Sequence, residues 1–128
     1  MKRVLIVGLI FIVLGGVLMF FFGKGQQTKY ENVTATQAEK LLAGGHIVVI
    51  DVREPFEFAE GHIPGAMLIP LGVIQSKLAS LNPENSYLLV CRSGNRSGQA
   101  ARILVAQGFK HVRNMSGGML AWRGPVTK

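Results

Sequence analysis

From Thr34 to Trp122, short apolar runs rich in β-branched residues alternate with segments of helical spacing, and few folds accept that alternation. "IVVID" (47–51), "AMLIP" (66–70), "SYLLV" (86–90) and "HVRNM" (111–115) read as strands. "TATQAEKLLAGG", "EPFEFAE" (54–60), "LGVIQSKLASL" (71–81), "RSGQAARILVAQG" (96–108) and "GGMLAWRG" (117–124) read as helices. Thr34 and Gln37 have the spacing of a capping box, and Gly44–Gly45 would end that helix. Pro55 stands early in its helix, where proline is tolerated. Ser97 is a candidate cap and Gly108 a stop for the 96–108 helix. Apolar strands separated by helices indicate an α/β fold: a parallel sheet covered on both faces. In such sheets ligands bind outside the carboxyl ends of the strands.

Ahead of this pattern lies "VLIVGLIFIVLGGVLMFFF", nineteen uncharged residues from Val4 to Phe22. As a helix the run would rise about 28 Å, against a hydrocarbon core of about 30 Å. It reads as an uncleaved transmembrane anchor. A cleaved secretory signal is the alternative, but such cores run to about 7–15 residues before a small-residue cleavage site. Here three phenylalanines are followed only by "GKG" at 23–25. Lys2 and Arg3 on one flank, against Lys24 and Lys29 on the other, favour a cytoplasmic N-terminus and a domain outside the cytoplasm, periplasmic in a bacterium, by a thin margin. Secretion after signal cleavage, or a domain facing the cytoplasm, are the alternatives. The expected organisation is thus an anchor or uncleaved signal at 1–22, a polar linker at 23–32, and one domain at 33–128.

Charge is distributed unevenly. Glu84 is the last acidic side chain, and from Asn85 onward there are seven basic residues. This cationic half would favour a small anion or an acidic partner. It is equally compatible with a solvated basic surface. Few aromatics lie among the charges and no nucleic-acid motif is present, so nucleic acid is not expected as a partner.

The lone cysteine sits in the cationic half, in "VCRSGNRSG" (90–98), directly after an apolar strand. An unperturbed thiol is only about 3% ionised at pH 7. A helix starting near Arg96 would turn free N–H groups toward the loop. Its macrodipole supplies only about 0.3–1 kcal/mol, whereas each amide hydrogen bond to a charged sulfur supplies about 1.5–3 kcal/mol. The backbone must therefore do most of the activation. Gly94 allows a positive φ that turns successive amides inward, and Asn95 tolerates it. Arg92 and Arg96 add charge that salt would screen. A small buried hydrophobe finishing a strand is the bland alternative for Cys91.

Three segments, "VIDVREPFEFAEGHIPGAMLIP" (49–70), "LLVCRSGNRSGQAARIL" (88–104) and "GFKHVRNMSGGMLAW" (108–122), resemble the rhodanese family in order and spacing. The resemblance implies a central parallel sheet of about five strands. It implies a thiosulfate sulfurtransferase that needs no cofactor and no metal. Cys91 would be the nucleophile and persulfide carrier, loaded by a small anionic donor such as thiosulfate and unloaded by a thiol or cyanide. Arg92, Ser93, Gly94, Asn95 and Arg96 would form the substrate-binding loop. Arg53, in "DVR", would stand at the site edge, with a buried ion pair to Asp51 as the competing role. His62, in "GHIPGA", is expected to be structural, and Trp122 and Gly117–Gly118 to be core and turn.

Two other functions remain open on the same residues. One is a binding or sensing module that uses the cationic loop without turnover; the other is a persulfide carrier for a membrane partner. Phosphatases and arsenate reductases related to this fold place five residues between cysteine and arginine. Here Cys91 and Arg96 have four between them, with Ser97 next and Val90 in place of a preceding histidine. The shorter loop favours a sulfur atom over a tetrahedral oxyanion.

Overall fold

A computed structural model describes residues 29–128, which form a five-stranded sheet in the order β1-β5-β4-β2-β3. The strands are β1 (Glu31–Val33), β2 (Ile47–Asp51), β3 (Met67–Leu68), β4 (Ser86–Val90) and β5 (His111–Met115). Every pairing is parallel. The expected anchor at 4–22 and most of the expected linker lie outside the described residues. Among the described residues no helix is long and apolar enough to cross a membrane.

The helices are α1 (Ala35–Ala43), α2 (Pro55–Glu60), α3 (Ile74–Lys77), α4 (Asn95–Ala106) and α5 (Gly118–Ala121). The Thr34 hydroxyl accepts from the Gln37 N–H and the Gln37 side chain accepts from the Thr34 N–H, completing the capping box of α1. Residues 71–81 do not make the continuous helix that their spacing predicts. Three-residue 3₁₀ turns, Leu71–Val73 and Leu78–Ser80, flank α3. The Ser76 and Ser80 hydroxyls donate to the Val73 and Lys77 carbonyls, three residues back, and so bind acceptors next to the regular ladder.

A second difference lies at the start of the domain. Glu31 and Asn32, read as linker, belong to β1. This strand is short, mostly exposed and polar, so it carries no hydrophobic alternation. Pairing holds it: Glu31 and Asn32 lie opposite Arg113 and Asn114, with an Arg113–Glu31 ion pair at 2.8 Å.

The sheet separates two apolar layers. Ile50, Tyr87 and Leu89 pack with Ala101, Leu104 and Val105 of α4 on one face. Val49, Leu88 and Val90 pack with Ala38 of α1 and Trp122 on the other. Side chains alternate along a strand, so Cys91, the next odd position after Tyr87 and Leu89, faces the α4 layer. Beyond the neighbouring carboxyl ends of β2 and β4, the chain departs toward β3 on one side and β5 on the other. This is the topological switch at which open α/β sheets form their crevice.

Candidate active site

The backbone beyond β4 must turn back within four residues, 91–94, because α4 already begins at Asn95. Gly94 makes that turn with φ +102°. A Cβ there would lie 3.0 Å from the Gly117 nitrogen and 3.3 Å from the Met115 carbonyl oxygen, so both the dihedral and the space favour glycine. The turn brings the Gly94 N–H to 3.0 Å from Cys91 Sγ. Ser97 is wholly buried in the first turn of α4, and its hydroxyl donates to Sγ at 3.3 Å. The cap is thus Gly94 and not Ser97 as expected; Ser97 lies inside the helix and is turned onto the sulfur.

Cys91 itself is fully buried. Burial is the strongest single influence and pushes its thiol up. The Ser97 hydroxyl, with the amides of Ser97, Gly94 and Ser93, more than offsets it and holds the thiol below its ordinary value. Every group that lowers it is a hydrogen-bond donor, as the comparison of dipole and amide energies predicts.

Two further contacts fix the loop from behind. The Met119 and Leu120 N–H groups of α5 donate to the Cys91 and Arg92 carbonyls at 2.9 and 3.0 Å. Asn114 Nδ2 donates to the Gly94 carbonyl at 3.2 Å and to Asn32 Oδ1 at 3.0 Å. With these carbonyls engaged on the sheet side, the loop amides are left for the sulfur.

The family profile described as "Rhodanese-like domain" matches residues 34–125. The chain belongs to the rhodanese-like domain family. The provisionally named sulfurtransferase YtwF of Bacillus subtilis is 46% identical over 91 residues, covering 71% of this chain and 87% of that protein. The thiosulfate sulfurtransferase GlpE of Pseudomonas entomophila is 35% identical over 96 residues, 75% of this chain and 87% of its own length. Among solved structures, a rhodanese-related protein of Thermoplasma volcanium superposes with a TM-score of 0.70 at 31% identity, over 77% of this chain and 98% of that one.

Within this rhodanese-like domain, a cavity of about 410 Å³ is lined by Arg53, Phe56, Glu57, Glu60, Arg92, Met119 and Leu120. Arg92 is exposed at its edge. Arg96 does not stand free. Its guanidinium is held bidentately by Glu57 of α2, at 2.8 and 2.9 Å. This pairing holds the Glu57 carboxyl down to about 2. It stabilises the fold fully above the ordinary value of 4.5 and loses that effect as pH falls toward 2.

Arg53 combines the two roles expected of it. It lines the cavity, and it is also buried in a two-point ion pair with Asp51, Nε to Oδ1 at 2.9 Å and Nη2 to Oδ2 at 2.7 Å. Its Nη2 also donates to the Gly61 carbonyl. Asn95 directs its side chain to Gln99 along α4. His62, expected to be structural, has its Nδ1 2.9 Å from the Phe58 carbonyl and its ring stacked on Phe58 at 3.6 Å.

Sequence reasoning did not anticipate Ser97 as a partner of the sulfur, Glu57 as the partner of Arg96, or Asn114, Met119 and Leu120 as supports of the loop. Removing the Ser97 hydroxyl tests the first. In Ser97→Ala the pH midpoint for alkylation of Cys91 by iodoacetamide should move upward, and the rate at pH 7 should fall several-fold. An unchanged midpoint would mean that the amides alone set the thiol.

Proposed function

We propose that this protein is a sulfurtransferase that carries sulfane sulfur as a persulfide on Cys91. The Cys91 thiolate attacks the outer sulfur of thiosulfate or a similar anionic donor. The S–S bond to the sulfonate breaks, sulfite leaves with the bonding pair, and Cys91–S–S⁻ remains. A thiol or cyanide then takes the terminal sulfur and regenerates the thiolate. The observation that carries this reading is the buried Sγ under the Gly94 amide and the Ser97 hydroxyl. Those donors would hold the persulfide charge, and Arg92 would draw the donor in.

A preformed thiolate needs no general base, which agrees with the engagement of His62 elsewhere. A phosphatase is disfavoured because Ser97 occupies the position where the oxyanion-clamping arginine would stand. Its hydroxyl faces the sulfur. Intact-mass spectrometry before and after thiosulfate, and again after cyanide, tests the proposal. A gain of one sulfur that cyanide removes is expected. No gain from several sulfane donors would make the loop a binding surface. Loading without turnover on cyanide would point to a carrier.

We also propose that residues 4–22 tether the domain to a membrane, with the domain outside the cytoplasm. Their uncharged length and flanking charges support this. Retention in the pellet after carbonate extraction is expected; release to the supernatant would overturn it.

A further inference from the structure

The half of the chain that holds Cys91 is cationic in sequence, but its site is not. Three guanidiniums, Arg53, Arg92 and Arg96, are equalled in number by three carboxylates, Asp51, Glu57 and Glu60, of which Asp51 and Glu57 form ion pairs with Arg53 and Arg96. All three carboxylates come from β2 and α2, in the acidic half of the chain. Among the described residues lining the cavity, Arg92 is the only guanidinium without a carboxylate partner. The Glu57–Arg96 pair is the adjustable part of this balance. It is bidentate and only partly exposed, and Arg96 lies five residues after the nucleophile. Arg96 senses the Cys91 charge as well as that of Glu57 and Glu54. By contrast, the Asp51–Arg53 pair is buried and braces the backbone.

Resting on the sulfur-transfer reading above, we infer that Glu57 is a specificity-determining residue: by neutralising Arg96 it restrains capture of doubly charged donors relative to singly charged ones. A chain with an unpaired Arg96 would favour thiosulfate more strongly than this one does. The site as built is suited to sulfane donors of low charge, such as thiosulfonates or organic persulfides.

Two donors with the same reacting bond separate charge from chemistry. Thiosulfate is a dianion and leaves as sulfite. An alkanethiosulfonate, R–SO₂–S⁻, is a monoanion and leaves as the sulfinate, R–SO₂⁻. Each gives the same Cys91 persulfide. Second-order loading rates for both, at low salt, are compared in the full-length protein and in Glu57→Gln. Glutamine at this helix position still accepts the Glu54 N–H, so the cap of α2 is kept. Removing one negative charge should raise the rate about two-fold per substrate charge, hence about four-fold for thiosulfate and about two-fold for the thiosulfonate. The selectivity change should vanish near 1 M salt, where the Debye length is about 3 Å.

Arg96→Gln, which leaves Glu57 uncompensated, should shift the donor ratio the opposite way. It gives a reading even if Glu57→Gln folds poorly. A donor ratio that neither variant moves, or that moves equally at high salt, overturns the inference while leaving sulfur transfer intact. Failure of the unaltered protein to take sulfur from either donor overturns the sulfur-transfer reading and this inference with it.

Discussion

Cys91→Ser is expected to take up no sulfur from any sulfane donor and to lose at least about a thousand-fold in turnover, because a serine hydroxyl is not ionised near neutral pH. Its fold should persist. Serine is close in size to cysteine, and its oxygen can still accept from the Gly94 N–H and the Ser97 hydroxyl, which face that position. The thermal midpoint should therefore fall by only a few degrees. Mass spectrometry reads the first effect and a melting curve the second. A serine variant that gained sulfur would move the chemistry off this residue. Among the described residues no other cysteine is present to receive it.

Gly118→Ala is expected to fail in both stability and loading, although residue 118 never touches the sulfur. Gly118 adopts φ +59°, and a Cβ on it would stand 2.4 Å from both the carbonyl carbon and the oxygen of Arg92. Those are backbone atoms, held by the Leu120 N–H, and cannot turn aside as a side chain would. The left-handed dihedral costs about 1–2 kcal/mol and the overpacking about 1–3 kcal/mol. A loss of about 2–5 kcal/mol should lower the thermal midpoint by many degrees. The surviving folded fraction should load sulfur poorly, since the Arg92 carbonyl must move and carry the loop with it. Gly65→Ala is the control. Gly65 also has positive φ, at +81°, but its Cβ would meet nothing within 4 Å. It should lose a little stability and keep its loading rate. Equal behaviour of the two variants would show that Gly118 matters only for its dihedral.

What could be read in the sequence was what repeats or is contiguous. The apolar runs at 47–51 and 86–90 became β2 and β4 with those bounds, because each strand is covered on both faces and carries its own hydrophobic record. Cys91 and its glycine turn lie within four residues of each other, so the geometry of the turn was legible too. The missing parts are through-space pairs. Glu57 and Arg96 are separated by 39 positions, and nothing in "EPFEFAE" marks one glutamate as the partner of an arginine in the next half of the chain. Asn114 looks like an ordinary strand residue until β1 and the Gly94 carbonyl are placed beside it. β1 could not be seen because its order derives from β5 and not from burial of its own side chains. The cationic half was read correctly as composition, yet compensated by a helix that the fold carries across from the acidic half.

The backing of Cys91 by α5 has a consequence for the order in which the protein is made. Cys91 leaves the ribosome before the groups that fix its loop, the Met119 and Leu120 amides. The residues just beyond them are tied down in turn: the Trp122 indole donates to the Pro125 carbonyl, and Thr127 pairs with His62. On a nascent chain the thiol therefore waits in an unfinished loop, without its full set of oriented amides. The loop around it is fixed only once residues 117–127 have emerged and docked. The order of synthesis thus gives the sulfur its finished surroundings last, after the strand that carries it.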